Sequence, residues 1–73
     1  MASETAMLRA LGTRVRELRT SCHFTQERLA EVAGIHENHV RRIEGGTANP
    51  SYLVLSKLAR AFGLSTSDLL RGL

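Results

Sequence analysis

A single cysteine, Cys22, leaves no partner for a disulfide within the chain. That fits a reducing, cytoplasmic setting. Nothing beside Cys22 offers the base and the orienting group that a nucleophilic thiol needs, so it reads as a structural thiol at a helix end. No apolar run approaches the roughly 18 residues of a membrane span. Residues 1–5 include Ser, Glu and Thr, and no signal-peptide hydrophobic region follows them. They are expected to form a frayed, disordered end, with one domain over residues 6–73. No strand-like alternation, internal repeat, low-complexity tract or linker is present. No carboxylate pair, metal-ligand cluster or nucleophile triad is visible either, and 73 residues leave little room for a substrate pocket. An enzyme, a cofactor and a metal are therefore not expected.

Lysine is nearly absent as well. Lys57 stands alone, and nine of the ten basic residues are Arg, with a formal net charge of +3. Arg forks onto phosphates and onto guanine edges in a way Lys does not. The balance of 42% apolar and 23% charged residues is that of a folded domain. A domain this small is marginally stable alone, so its helices must pack efficiently or a second copy must help.

The apolar spacing predicts five helical segments and an all-α fold, an orthogonal bundle of short helices. Leu8, Leu11, Val15 and Leu18 form a stripe at helical spacing over about 6–20. Gly12 interrupts it at a cost of about 1 kcal/mol relative to Ala and suggests a close helix crossing. Thr25 is a good N-cap for a helix over about 26–33, with Leu29, Val32 and Ala33 as its apolar face, and Gly34 ends it. Ile35 bridges to a third helix that begins at His36 or Glu37 and runs to about residue 44. Its only apolar positions are Val40 and Ile43. After Gly45 and Gly46 comes a loop ending at Pro50, and Ser51 caps a fourth helix whose apolar face is Leu53, Val54, Leu55, Leu58, Ala59 and Phe62. Gly63 closes it. Ser65, Thr66 or Ser67 then caps a short last helix ending at Leu69 and Leu70.

A short helix, a glycine turn and a second helix with little apolar surface form the helix-turn-helix pattern. The second of these helices is anchored on one edge by Val40 and Ile43. Its other edge carries Glu37, Asn38, Arg41 and Arg42, with His36 and His39 beside them, and is free to enter a major groove. Asn pairs with adenine, Arg with guanine, and Glu accepts from cytosine. Gln26, at the start of the preceding helix, is placed to reach a phosphate.

The run 25–30 (Thr-Gln-Glu-Arg-Leu-Ala), with Gly34, Val40, Ile43-Glu44-Gly45-Gly46, Asn49-Pro50-Ser51, Leu18-Arg19 and the run 58–65, resembles the lambda-repressor/Cro-like helix-turn-helix family over about residues 11–70. The resemblance implies five short helices and a DNA-binding regulator, in most members a dimer on a pseudo-palindromic operator. It makes Gln26 a phosphate ligand and Glu37, Asn38 and Arg42 base readers flanked by His36 and His39. Arg41 becomes a backbone contact, and Thr47, Asn49, Ser51 and Tyr52 part of a phosphate-touching loop. Arg19 and Glu44 match a structural ion pair that reads nothing. Small stand-alone members include phage repressors, antitoxins and restriction-modification controllers, and this length is similar to the controllers. Many members carry Lys or Arg where this chain has Gly46-Thr47-Ala48, which weakens the expected grip of that loop.

Plainer readings stand beside these. Arg41 and Arg42 could be a solvated face, though in a helix-turn-helix DNA contact outweighs it. For Glu37, a partnership with the positive end of its own helix weighs equally with base reading. His36 and His39 are too few for a metal site, and a pH-sensitive DNA contact is the better reading. His23 reads as a surface residue. Met7, Leu8, Leu64, Leu69, Leu70 and Leu73 exceed what so small a core needs. Edge packing is one reading; a homodimer face at the C-terminal helices is the favoured one. An antitoxin docking a toxin through the apolar C-terminal helix is the alternative function.

Overall fold

The computed structural model describes residues 3–73 and consists of five helices in chain order: α1 (Glu4–Ser21), α2 (Gln26–Ala33), α3 (Glu37–Glu44), α4 (Tyr52–Ala61) and α5 (Thr66–Leu69). No strand occurs among the described residues. Serine and threonine set most of the helix starts. Thr25 accepts from the Arg28 N–H at 2.9 Å, Ser51 from that of Val54 at 3.2 Å, and Ser65 from that of Asp68 at 3.1 Å. Each hydroxyl satisfies one of the orphan donors of a helix N-terminus.

Ser3 does the same for α1, accepting from the Ala6 N–H at 3.0 Å. Residues 3–5, expected to be part of a frayed end, carry cap and helical geometry here. Ser3 is a cap, and Glu4 and Thr5 lie in the first turn, where Glu4 also faces the positive helix end. Met1 and Ala2 lie outside the described residues.

The core is Leu11 and Val15 of α1, Leu29, Ala30 and Ala33 of α2, Val40 and Ile43 of α3, Leu58 and Ala59 of α4, Leu69 of α5, and Ala48 from the loop before α4. Leu18, Val54, Leu55 and Phe62 pack against it half-buried, but two residues expected on the apolar faces are exposed. Val32 is 42% exposed and Leu53 63% exposed. In α2 the buried arc is centred on Ala33 between Leu29 and Ala30, and at 100° per residue Val32 falls outside it. Leu53 sits five residues before Leu58, on the opposite side of α4.

The crossing of α1 over α3 positions the rest. A Cβ at Gly12 would lie 2.4 Å from the Ile43 carbonyl oxygen and 2.6 Å from that of Glu44. Only a hydrogen fits there, so the two backbones touch. At the other end of the domain, Arg14 fastens α5 to α1. Its Nε donates to the Leu69 carbonyl at 3.1 Å and its Nη2 to that of Asp68 at 3.0 Å, a favourable place for a cation at the negative end of a helix. Gly12→Ala should therefore force α1 off α3 and destabilise the domain by about 1–3 kcal/mol, the usual penalty of overpacking. A thermal melt followed by circular dichroism should show a fall of several degrees; an unchanged midpoint would contradict the crossing.

Candidate nucleic-acid interface

The turn between α2 and α3 is built by Gly34, which ends α2 in the left-handed region at φ 76°. The Ala30 carbonyl then accepts from both the Gly34 and Ile35 N–H groups, at 2.8 and 3.0 Å. This turns the chain sharply and drops Ile35 against the core. From there α3 starts at His36, whose side chain makes no capping bond. Val40 and Ile43 are buried on one side of α3, while Asn38, Arg41 and Arg42 are exposed on the other. His36 is exposed too, Glu37 is half-buried, and His39 is half-buried at the margin of the apolar edge.

At the C-terminal end of α3 the Glu44 carboxylate is 1% exposed. Arg19 of α1 grips it bidentately, Nε to Oε2 at 2.6 Å and Nη2 to Oε1 at 3.1 Å. The third guanidinium nitrogen, Nη1, donates to the Phe24 carbonyl at 2.8 Å, tying in the turn before α2. Gln26 Nε2 donates to Glu44 Oε1 at 3.1 Å, and Arg16 Nε lies 3.5 Å from the same oxygen. Burial pushes the Glu44 carboxyl up. The bonds from Arg19 and Gln26, the Arg19 charge and the bond from Arg16 outweigh it and hold the group below its ordinary value of 4.5.

The amide of Gln26 is thereby oriented. Its Nε2 faces Glu44, and its Oε1 accepts from Arg41 Nε at 3.3 Å. Arg41 in turn is ion-paired with Glu37 one turn earlier. The side chains of Arg16, Arg19, Glu44, Gln26, Arg41 and Glu37 thus form one continuous network joining α1, α2 and α3.

Ion pairs among the described residues engage Arg16, Arg19, Arg28, Arg41 and Arg71, but not Arg42. Thr47, just past α3, donates its hydroxyl to the Arg42 carbonyl at 3.3 Å and so serves as a C-terminal cap. Ser51 is occupied as the cap of α4. Asn49 and Tyr52 are exposed, and Asn49 lies beside Glu4, Met7 and Leu8 of α1.

Two basic residues join the expected set. Arg16 is one turn before Arg19 on α1, and only together with the Arg19–Glu44 pairing does that spacing point it toward Glu44. Arg9 is one turn before Gly12, and its stem runs against Gly46, where a Cβ would lie 2.9 Å from the Arg9 Cγ. The loop has no base of its own at 46–48, but α1 brings one alongside.

Two short helices joined by a glycine turn, the second buried on one edge and polar on the other, define a helix-turn-helix DNA-binding domain. The helix-turn-helix family HTH_3 matches residues 15–69, and the chain belongs to it. It is 37% identical over 60 residues to the control protein C.BamHI of Bacillus amyloliquefaciens, covering 81% of this chain and 74% of that protein. The crystal structure of the restriction-modification controller protein C.AhdI from Aeromonas hydrophila superposes with a TM-score of 0.82 at 37% identity, over 85% of this chain and 94% of that one. An uncharacterized helix-turn-helix regulator, YonR of the SPbeta prophage in Bacillus subtilis, is 38% identical over 61 residues, and the match spans 56% of its length. These relatives are named as regulators and control proteins, not enzymes. The chain is a DNA-binding transcriptional regulator of this family. No helix among the described residues is long and apolar enough to cross a membrane.

Because Glu44 titrates lower folded than unfolded, its contribution is complete above the ordinary glutamate range and is lost as the pH falls through the lowered value. Urea unfolding between about pH 7 and about pH 3 should show the wild type losing stability on acidification. Glu44→Gln, which cannot titrate, should be weaker at neutral pH and flatter over that span. At neutral pH Arg19→Ala should cost about 3–5 kcal/mol by leaving a buried charge unpaired, and Arg19→Met with Glu44→Leu should recover much of that loss.

Proposed function

We propose that the chain acts as a homodimer on a pseudo-palindromic operator, each copy placing the outer edge of α3 in one of two successive major grooves about 34 Å apart. The observation that carries this reading is the division of α3: Val40, Ile43 and Glu44 are buried, while Asn38, Arg41 and Arg42 are exposed along the other edge. Asn38 and Arg42 take base edges, with Glu37, His36 and His39 beside them. Gln26, Arg41, Thr47, Asn49, Ser51 and Tyr52 lie along the backbone of the DNA and set the register.

The dimer face is an apolar groove of about 620 Å³ between the first turns of α1 and the C-terminal end, lined by Met7, Leu8, Leu11, Leu70 and Leu73. Met7 and Leu73 are 60% and 55% exposed. Leu69, expected on that face, is fully buried and belongs to the core, and Leu64 packs against the core outside the groove. Likeness to C.BamHI and C.AhdI supports the control of restriction-modification genes as the biological role. Such a regulator works in the cytoplasm, tuned by its own concentration and steepened by dimerisation.

Selection of bound DNA from a random pool at physiological salt should enrich a sequence with two related halves. A pool with no enriched sequence would overturn the proposal. On the enriched site Arg42→Ala should cost about 1–3 kcal/mol and relax preference at one base position, whereas Gln26→Ala should weaken all sequences alike. Met7→Glu with Leu73→Glu should shift sedimentation toward the monomer while leaving the helical spectrum intact.

A further inference from the structure

We infer that Glu37 is a specificity-determining residue that acts by holding Arg41 back from the DNA backbone until the correct base is present. The inference rests on the reading of the outer edge of α3 as the DNA face. Glu37 and Arg41 sit one turn apart on that edge and are ion-paired, the Arg41 side chain 60% and that of Glu37 31% exposed. An ion pair of this spacing on an exposed helix is ordinarily loose and worth little. Here the guanidinium is also held from a second helix, because Arg41 Nε donates to Gln26 Oε1 at 3.3 Å. Gln26 is itself held by the buried Glu44 through a 3.1 Å bond. Arg41 therefore points in one direction, with Nε and Nη2 both occupied.

The electrostatic consequence concerns DNA of any sequence. A lone Arg on this edge would attract every phosphate it met and add to sequence-independent binding. Paired with Glu37 it is neutralised, and the carboxylate on the same edge repels phosphates. That cost is offset only where the base edge facing Glu37 offers a hydrogen-bond donor, the amino group of cytosine or adenine. When Glu37 accepts from such an amino group it leaves Arg41, and the freed Nη2 donates to a phosphate while Nε stays on Gln26. One base contact and one phosphate contact form together or not at all. The discrimination comes as much from weakening the wrong sites as from strengthening the right one. Arg42, outside these ion pairs, has no such restraint.

The test uses the full chain, a random-sequence duplex and the operator enriched by selection. Glu37→Gln removes the carboxylate charge at nearly constant shape and releases Arg41. It should bind the random duplex about three-fold tighter or more at low salt. Its log–log salt slope there should steepen by about 0.9, the value of one additional phosphate neutralised. Moving from 50 to 200 mM salt should thus cost it about three- to four-fold more affinity than it costs the wild type. The preference for operator over random duplex should fall. In an Arg41→Gln background the Glu37→Gln change should no longer steepen the slope, since the cation it frees is gone. If the gain and the steeper slope persist in that background, the carboxylate acts by repulsion alone and the inference is overturned. An unchanged slope and random-duplex affinity in the single variant overturns it as well. In either case a wild type that still enriches an operator leaves the proposed function standing, whereas a wild type that enriches none removes both.

Discussion

The buried carboxylate of Glu44 is the point from which the DNA-facing side of this protein is built. Removing a charge from water is costly, and the cost is met only because three helices converge on it. Arg19 comes from α1, Gln26 from the first residue of α2, and Glu44 itself ends α3. Apolar contacts between these helices are non-directional and would tolerate rotation of one against another. A bidentate guanidinium bond does not, because both nitrogens must face both oxygens at once. The setting of α3 against α1 follows from that pairing, the direction of the Gln26 amide follows from its own bond to the same carboxylate, and the placement of Arg41 follows through Gln26.

Close approach of α1 to α3 is the condition for that geometry. Gly12 lets the carbonyls of Ile43 and Glu44 come against α1, which carries Arg19 and Arg16 within reach of the carboxylate. The same helix reaches the far end of the domain, where Arg14 holds the last carbonyls of α5. The α1 helix is thus the strut between the recognition edge and the apolar C-terminal groove. Its polar residues, which look like an ordinary solvated face in one dimension, are distributed between these two jobs.

Much of the architecture is legible from local chemistry. The caps Thr25 and Ser51, the stop at Gly34, and the polar edge of α3 all follow from hydrogen-bonding and helical periodicity within a few residues, whereas only the structure chose Ser65 among Ser65, Thr66 and Ser67 as the cap of α5. The pairing of Arg19 with Glu44 came from resemblance to a family rather than from spacing, since 25 residues separate the partners. Val32 and Leu53 are apolar in pattern yet exposed, because an apolar residue near the edge of a stripe is assigned to one side only by its neighbours in space. Leu69 reads as surface from the sequence and is core in the fold: a four-residue helix has no periodicity from which a face can be read.

The sequence by itself determined the five helices, most of their ends, and which residue types lie along the outer edge of α3, because these depend on contacts within one or two turns. Only the tertiary structure decided that the Glu44 carboxylate is shared by Arg19, Arg16 and Gln26, and that Gln26 passes this order on to Arg41 and Glu37. Those partners come from three helices, and their meeting is set by the glycine-mediated crossing of α1 and α3 rather than by any spacing along the chain.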